Sequence, residues 1–496
     1  MRRNSIFFGI FSLVFLLTNT SLYAGGLEGV KSGANSLRSG TQKVVDGALQ
    51  PGTYSFVEEF VDLLGKGIDW YFDLFVLGAD TVKAGEISNG IVDGIGGGLN
   101  EMQIPATIDK GLDTIEDVTA KSGLPELRRQ MTEATGIHVK PYFKGTVEYN
   151  SNVFLEPEAP KTRDEALWIW TPGVSVNYPF GDQKQHRVGA VYEARITEFT
   201  KYDEHDDVGQ SVGVIGNFKL SDALYTNITE EFVQDAARAG TRSAKRIEYI
   251  DNKVSPTIGY HWRDWTFEGE YWNTIRDFES AIYRAFSYAN NGATARAYRT
   301  LAPNFRGVVD YTFSYYDYAA DETRVGHYNQ FRAGVTGKLS ERTNLLTRIG
   351  YQEREYRAHD TEFHIPVGDF RLTHRLTSKT NLDFYIHRTT AESTFTNNRA
   401  LDEKLAQVSG NYLFNSKFRG RAGAAYIRHD FDRTAATGAT VVKRRDHIGR
   451  LSVGLDYFFR PWLIMNLDYH YDRSNSNNSN FDYTNNQVAL GMTMPL

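Results

Sequence analysis

The sequence has 496 residues and a formal net charge of −6, with acidic and basic residues spread along the whole chain. This distribution excludes a nucleic-acid-binding surface, because the sequence has no basic block or stripe. A mean hydropathy of −0.44 and an aromatic content of 13% together suit a transmembrane β-barrel, in which only alternate residues face lipid.

The chain begins with the pattern of a secretory signal peptide. Arg2 and Arg3 are followed by the apolar residues 6–17 and by a small-residue cleavage site that ends at Ala24. An uncleaved anchor helix is the alternative, but the apolar stretch is short for a helix that spans a bilayer. We therefore expect residues 1–24 to be removed after export across the inner membrane.

Residues 25–136 are rich in glycine and contain segments of helical periodicity. Apolar residues recur at three- or four-residue spacing between Phe56 and Phe75, and again between Ile108 and Val118. This spacing puts each set on one face of a helix. We expect an α-helical, Gly-rich periplasmic segment that plugs the barrel, docks on a periplasmic protein or serves as a tether. Docking is favoured, because a plug in a polar lumen should have a more polar surface.

Residues 137–496 show a hydrophobic period of two, which is typical of β-strands. In the first such run, Val139 and Phe143 lie on one face and Lys140 and Lys144 on the other. Most runs are roughly 10 to 14 residues long, the length that a tilted strand needs to cross a bilayer. Strands of a soluble sandwich are usually shorter, with about 5–6 residues.

Short turns alternate with longer polar loops along this region. Eight short turns, such as 262–265 and 414–417, alternate with nine longer loops, such as 235–246 and 432–443. They connect eighteen antiparallel strands and put both ends of the region on the periplasmic side. The sequence thus predicts an all-β transmembrane fold, a closed antiparallel barrel of about 18 strands in the outer membrane of a Gram-negative-type bacterium. Sixteen or twenty strands are the alternatives.

A barrel of this width is expected to leave an aqueous channel, so charged residues on the polar face are candidates for its lining. These candidates are Lys140, Lys144, Glu148, Arg187, Glu193, Arg195, Glu268, Glu270, Arg306, Asp310, Arg332, Arg348, Arg354, Asp383, Arg450, Asp456 and Asp468. Either these charges select the solutes that pass through the channel, or the opposite charges pair with one another and stabilise a hydrated interior that is closed to solutes. Tyr142, Tyr225 and Tyr385 are expected near the lumen, as surfaces for sugar rings or as space-filling residues.

The sequence predicts no catalytic, cofactor or metal site. Residues 209–213 have the G-x-S-x-G spacing of a hydrolase nucleophile elbow, but the surrounding alternation indicates a continuing strand instead of the required strand-to-helix turn. The acidic run 203–207 has oxygen donors for Ca²⁺ but lacks the spaced ligands of an EF-hand. We therefore predict that the chain is not an enzyme, with an outer-membrane enzyme acting on lipid or glycan as an alternative.

The opening hairpin of the predicted barrel resembles a known family. The segment Tyr149-Asn150-Ser151-Asn152-Val153-Phe154, followed by Trp170-Thr171-Pro172-Gly173-Val174 and Tyr178-Pro179, is similar to bacterial outer-membrane β-barrel porins. Some members of that family are encoded beside exopolysaccharide-synthesis genes. The resemblance is expected to extend over residues 137–496 and does not cover residues 25–136. It implies a pore or exporter for hydrophilic solutes, with an exopolysaccharide as one candidate. The alternative is a structural or glycan-attachment barrel with a closed lumen.

Four partners are expected for such a barrel. Outer-membrane lipid should surround it, and a polysaccharide is a candidate cargo. A periplasmic protein is a candidate partner for residues 25–136. The outer-membrane assembly machinery should recognise the last strand, in which Val488, Leu490, Met492 and Met494 alternate, although Leu496 replaces the usual terminal aromatic residue.

Overall fold

The computed structural model describes residues 136–157, 162–237, 247–281, 283–357, 362–393, 398–437 and 440–495. The predicted signal peptide and residues 25–135 of the predicted helical segment lie outside these residues. Within the described ranges, no helix is long and apolar enough to cross a membrane.

Eighteen β-strands make up the described part of the chain. They are β1 (His138–Asn150), β2 (Glu165–Phe180), β3 (His186–Phe199), β4 (Asp207–Lys219), β5 (Leu224–Ala237), β6 (Ile247–Trp262), β7 (Trp265–Phe278), β8 (Tyr288–Ala302), β9 (Phe305–Asp317), β10 (Gly326–Ser340), β11 (Thr343–Tyr356), β12 (Glu362–Arg375), β13 (Thr380–Glu392), β14 (Ala400–Leu413), β15 (Phe418–Thr437), β16 (Thr440–Arg460), β17 (Leu463–Ser476) and β18 (Tyr483–Pro495). Short 3₁₀ helices lie in five connections, at Asp182–Lys184, Asp203–His205, Arg284–Phe286, Glu322–Arg324 and Ser479–Phe481.

The sheet closes on itself. Each strand pairs antiparallel with its neighbour in sequence, and β1 also pairs with β18, from Tyr142 opposite Pro495 to Asn150 opposite Gln487. No strand is therefore left at an edge of this sheet. The predicted closed antiparallel barrel of 18 strands is confirmed.

The two ends of the barrel differ in the length of their connections. One end has eight short connections, and four of them have only two residues, including Arg263 and Asp264 between β6 and β7. Arg263 has a φ of 54°, a left-handed conformation that occurs in tight hairpin turns. His138 pairs with Asn177 near the β2–β3 turn, so β1 begins at this end, and β18 finishes here as well. In bacterial outer-membrane barrels the short turns face the periplasm, so we expect the short-turn end to be periplasmic and the opposite end extracellular, and we name the two ends accordingly.

One predicted loop proved to be a hairpin. Residues 432–443 were expected to form a long polar loop, but β15 continues to Thr437 and β16 starts at Thr440. After an irregularity beyond Asp430, the pairing resumes with Thr434 opposite Lys443. Five of these twelve residues are threonine or valine, and β-branched residues favour an extended backbone even where the segment projects beyond the membrane.

The outer face of the barrel carries exposed apolar side chains. Ile349 in the middle of β11 is 74% exposed, and Val453 in the middle of β16 is 59% exposed. Aromatic residues flank this apolar band near the short turns, where Trp265 stacks on Phe267 and Tyr412 meets Phe414 edge to face. Amphipathic aromatic rings favour the headgroup level of a bilayer. This arrangement suits an outer face in contact with lipid.

Ile349→Arg should destabilise the folded barrel by about 2–4 kcal/mol, because it places a charge at mid-membrane height on the lipid face. Leu346→Arg is the matched control, since Leu346 lies on the inner face of the same strand. Unfolding by guanidinium in lipid vesicles measures both changes. Equal losses for the two variants would contradict the assignment of the two faces.

Candidate functional site

All seventeen charged residues singled out in the sequence lie on the face of the sheet opposite to the exposed apolar residues, which is the inner face. The strand register brings several of them into contact across neighbouring strands. It also adds inner-face charges that the sequence analysis did not single out, among them Arg296, Asp369, Arg419 and Arg421. The interior of the barrel is therefore the candidate site.

Four charged residues on β9 to β12 form a closed ring of ion pairs. Arg332 contacts Asp310 at 2.9 Å and Asp369 at 3.1 Å. Arg348 contacts Asp310 at 3.2 Å and Asp369 at 3.1 Å. The side chain of Asp310 is fully buried and that of Asp369 is 6% exposed. Because two cations meet two carboxylates here, the ring is neutral, and each charge has partners that offset its loss of hydration.

Asp369 was missed because of its sequence context. Phe363, Ile365 and Val367 precede it on the same inner face, so this part of β12 has apolar residues on both faces. Only the pairing with β11, which puts Asp369 opposite Arg348, shows that the carboxylate points inward.

Two of the predicted lumen tyrosines hold glutamates in place. The Tyr142 hydroxyl and the Lys144 ammonium each donate to Glu193 Oε1 at 2.6 Å. The Tyr225 hydroxyl donates to Glu268 Oε1 at 2.6 Å in the same way. These rings therefore act as hydrogen-bonding neighbours within the wall.

Glycines on the neighbouring strands let these two rings lie flat on the sheet. A Cβ atom at Gly173 would be 2.4 Å from Cζ of Tyr142, and one at Gly259 would be 2.1 Å from Cζ of Tyr225. Any side chain at either position would push the ring into the interior. Aromatic cover of a cross-strand glycine also helps to fix the register of the two strands.

Arg354 lies at the extracellular end of β11, where three tyrosine rings surround its guanidinium group. Its Cζ atom is 4.8 Å from the ring centroid of Tyr316, 5.2 Å from that of Tyr356 and 5.8 Å from that of Tyr328. The guanidinium donates to Thr390 Oγ1 at 2.9 Å and forms an ion pair with Glu392. Aromatic faces attract a cation, so the rings stabilise a charge that is 2% exposed.

The partners of Arg354 belong to a segment that separates from β12 while it stays paired with β14. The ladder between β12 and β13 ends at Gly368 opposite Arg388, whereas β12 stays paired with β11 as far as Glu362. Beyond that point Thr390 donates to Gln352 of β11 at 2.9 Å, and Glu392 accepts a hydrogen bond from Tyr318. We name residues 389–393 and 398–400 the crossing segment.

Arg324 anchors the crossing segment to other extracellular loops. Its Nη1 donates to the carbonyl oxygen of Ser393 at 2.8 Å and its Nη2 to that of Asn398 at 2.9 Å. Asp321 lies 3.2 Å from its Nε, and its Cζ is 4.5 Å from the ring centroid of Phe286. The loops after β7, β9 and β13 therefore meet at one buried arginine.

The position of these contacts places the crossing segment inside the barrel. Tyr318 follows β9 and Glu392 ends β13, so roughly 19 Å of wall separates them if neighbouring strands lie about 4.8 Å apart. Their direct hydrogen bond, together with the contacts of Thr390 with the inner-face residues Gln352 and Arg354, indicates that the segment bends over the interior. Burial raises the pKa of the Tyr318 hydroxyl well above its usual value, which keeps it a donor to Glu392. The crossing segment thus narrows the extracellular mouth.

A second charged group lies nearer the periplasmic end. Asp456 accepts from Arg419 at 2.7 Å and from Arg421 at 2.8 Å, and Arg421 also donates to Asp468 at 2.8 Å. Beside this group is a recess of about 600 Å³. Its lining residues are Thr373, Asn381, Leu382, Asp383, Ser409, Gly410, Asn411, Arg421, Ala422, Ser452, Val453, Gly454, Asp468 and His470. The inward side chains among them are hydroxyls, amides and charged groups, which suit a hydrated solute.

The remaining candidates lie in smaller groups. Their contacts are Glu270 with Arg296 and Ser255, Arg195 with Asp235, Arg450 with Asp472, Arg187 with Asn177, Arg306 with the ring of Tyr298, and Glu148 with Asn150. Lys140 is exposed. Most inner charges are therefore paired across neighbouring strands.

The structure excludes a nucleophile elbow at the G-x-S-x-G sequence. Ser211 lies inside β4, with regular pairing to Glu193 on one side and Val233 on the other. The sharp turn that would expose a nucleophilic serine is therefore absent. Among the described residues, no three side chains meet as a metal site, and residues 203–205 form a 3₁₀ turn.

Residues 279–496 match the family described as "Putative beta-barrel porin 2". The match covers β8 to β18, eleven of the eighteen strands. Over these strands the chain is similar to β-barrel porins. The barrel lies in the outer membrane of a Gram-negative-type bacterium, and the matching family and the fold are those of channels rather than enzymes.

Several solved outer-membrane proteins are similar in fold. OpdK from Pseudomonas aeruginosa is 13% identical, with 72% of this chain and 98% of that chain covered and a TM-score of 0.41. OccK3 (OpdO) from the same organism is 12% identical, with coverages of 73% and 96% and a TM-score of 0.41. OccAB3 from Acinetobacter baumannii is 12% identical, with coverages of 72% and 99% and a TM-score of 0.41. No curated protein matches the sequence.

Asp369→Asn should destabilise the barrel by about 3 kcal/mol, because it leaves two largely buried guanidinium groups to share one carboxylate. Asp383→Asn is the control, since Asp383 forms a single ion pair with Arg371, whose side chain is 59% exposed. Such a pair contributes at most about 1 kcal/mol. Denaturant unfolding in detergent micelles measures both changes. A loss for Asp369→Asn no larger than for the control would contradict the ring of buried charges.

Proposed function

We propose that the barrel is a passive pore for hydrophilic solutes. The observation that carries this proposal is that charged side chains inside a closed wall remain accessible to water. Lys144 is 44% exposed, Arg421 is 40% exposed and Arg450 is 52% exposed. A packed interior would bury such groups, and burial of a charge is costly. A barrel of 18 strands is also wide enough to leave an aqueous channel.

The two sides of the interior differ in ways that indicate where solutes pass. On the side of β9 to β12, Asp310, Gln352 and Arg354 are buried by the charge ring and the crossing segment. On the side of β13 to β18 and β1, the inner cations Arg419, Arg421 and Arg450 are accessible, and the recess lies beside Arg421. The proposed path therefore follows the second side.

The accessible charge along this path is mainly positive. Each exposed pair has a cation that is more accessible than its carboxylate, as in Arg419 with Asp456, Arg421 with Asp468, and Arg450 with Asp472. Charged side chains that line a pore set its ion preference. The proposed pore should therefore favour anions modestly over cations.

Reversal potentials across a planar bilayer with a KCl gradient test this charge argument. The wild-type protein should prefer Cl⁻, and the double variant R419E/R421E should prefer K⁺, because two accessible cations become anions. R263E/R299E is the control, since both residues lie on or beside the outer face at the periplasmic end. If the protein produces no ionic current across the bilayer, the result would favour the alternative function, a structural or glycan-attachment barrel with a closed lumen.

A second measurement tests the narrowing of the mouth. Arg324→Ala removes both hydrogen bonds that hold the carbonyl groups of the crossing segment, so single-channel conductance should rise by about twofold as the segment is released. Arg342→Ala, in the exposed β10–β11 turn, should leave conductance unchanged. Equal conductance for wild type and Arg324→Ala would place the narrowest point elsewhere.

A polysaccharide is the specific cargo within this proposal. The recess offers amides, hydroxyls and carboxylates from Asn381, Asp383, Asn411 and Ser452, the groups that bind sugar hydroxyls. Added oligosaccharides should block the current in a concentration-dependent way, and N381A/N411A should weaken the block. Conductance without any block would leave a pore for small solutes.

A further inference from the structure

The outer face carries a cluster of cations at its extracellular end. Arg388 of β13 lies directly opposite Lys404 of β14, and Lys404 lies directly opposite Arg428 of β15. At the next outward-facing position of β15, nearer the extracellular end, Asp430 lies opposite Arg445 of β16. Like charges directly opposite each other destabilise a sheet, so this arrangement is costly without a compensating partner.

Two carboxylates form ion pairs with four cations in this cluster. Asp430 contacts Lys404 at 2.7 Å, Arg428 at 3.0 Å and Arg445 at 2.8 Å. The second carboxylate, Asp402, contacts Arg388 at 2.9 Å and Lys404 at 2.9 Å. We name Arg388, Lys404, Arg428 and Arg445, with these two aspartates, the outer basic cluster. It has two more positive than negative charges.

The cluster faces away from the interior. Its residues alternate along β14 and β15 with inner-face residues, and they share the outer face with Val408, Tyr426 and Leu451, which are exposed apolar side chains. The Arg445 side chain is 54% exposed and that of Arg428 is 33% exposed. Both guanidinium groups are therefore accessible from outside the wall.

The height of the cluster matches the outer-leaflet headgroups. From Lys404 to Phe414, an exposed aromatic residue beside the β14–β15 turn, β14 extends over ten residues, about 34 Å along the strand. A tilt of about 40° makes this about 26 Å along the membrane normal, close to the roughly 25 Å of the apolar band. The cluster thus lies one membrane thickness above the periplasmic aromatic residues.

The sector from β6 to β11 carries negative charge on the outer face at the same level. Glu248, Asp277, Asp317, Glu353 and Glu355 lie on the outer face near the extracellular ends of β6, β7, β9 and β11. Among the described residues, the excess of cations therefore lies in the sector formed by β13 to β17, where Arg473 of β17 also faces outward, and it is not a general property of the rim.

We propose that the outer basic cluster binds the phosphate groups of a glycolipid in the outer leaflet. A phosphate carries about −1.5 to −2 charges and three acceptor oxygens, which suit the excess charge and the paired N–H groups of Arg428 and Arg445. Its acyl chains would lie along the exposed apolar residues below the cluster. The site lies on the outer face, so it does not depend on whether the interior conducts.

Native mass spectrometry of the full-length protein in detergent, titrated with diphosphorylated lipid A, tests the proposal. R428Q/R445Q should weaken binding roughly thirtyfold, because each cation near an anionic lipid surface contributes about fivefold to affinity. R263Q/R299Q removes two arginines at the periplasmic end and should bind like wild type. Retention of heat-modifiable electrophoretic mobility verifies that each variant is folded.

The source of the bound group is distinguished by two further probes. Dephosphorylated lipid A should bind more weakly than the diphosphorylated form, and inorganic phosphate at equal concentration should not compete. Equal binding of both lipid forms, or equal binding by R428Q/R445Q and wild type, would overturn the proposal. Salt-sensitive dimers without bound lipid would show that the cluster instead faces the acidic sector of a second copy.

Discussion

The fold depends on the requirement that every backbone N–H and C=O group in the bilayer core has a hydrogen-bond partner. In a sheet this requirement is met only by closure, so the stability of the whole wall in the bilayer depends on the pairing of β1 with β18. Closure at eighteen strands then makes the interior too wide for side chains to fill. The paired charges, the cross-strand tyrosines and the crossing segment all occupy that excess width.

The barrel could be predicted from the sequence because its wall repeats one simple pattern. On β16, Leu451, Val453 and Leu455 face outward while Ser452 and Asp456 face inward, and no tertiary information is needed to recognise this alternation. The pattern fixes which face a residue occupies, so the seventeen candidates could be assigned to the inner face. It does not reveal cross-strand neighbours, which depend on strand register.

The parts that could not be predicted depend on contacts between distant strands or on charge in an unexpected place. Arg324 binds the backbone of Ser393 and Asn398, a contact across the interior that no local pattern encodes. Arg388 and Lys404 are charged residues on the outer face, where periodicity favours apolar side chains. At both places the local sequence rules fail at a feature with a proposed function. The Arg324 contacts narrow the extracellular mouth, and Arg388 and Lys404 belong to the proposed lipid site.

The early end of the β12–β13 ladder also affects the mechanical behaviour of the wall. From Glu362 to Val367, β12 is hydrogen-bonded to β11, but its ladder with β13 is absent. Amides on that side of β12 should exchange with solvent sooner than those of strands paired on both sides. Under heat or tension, the strands should begin to separate between β12 and β13, and not between β1 and β18. The gap that makes room for the crossing segment thus determines where the wall first separates.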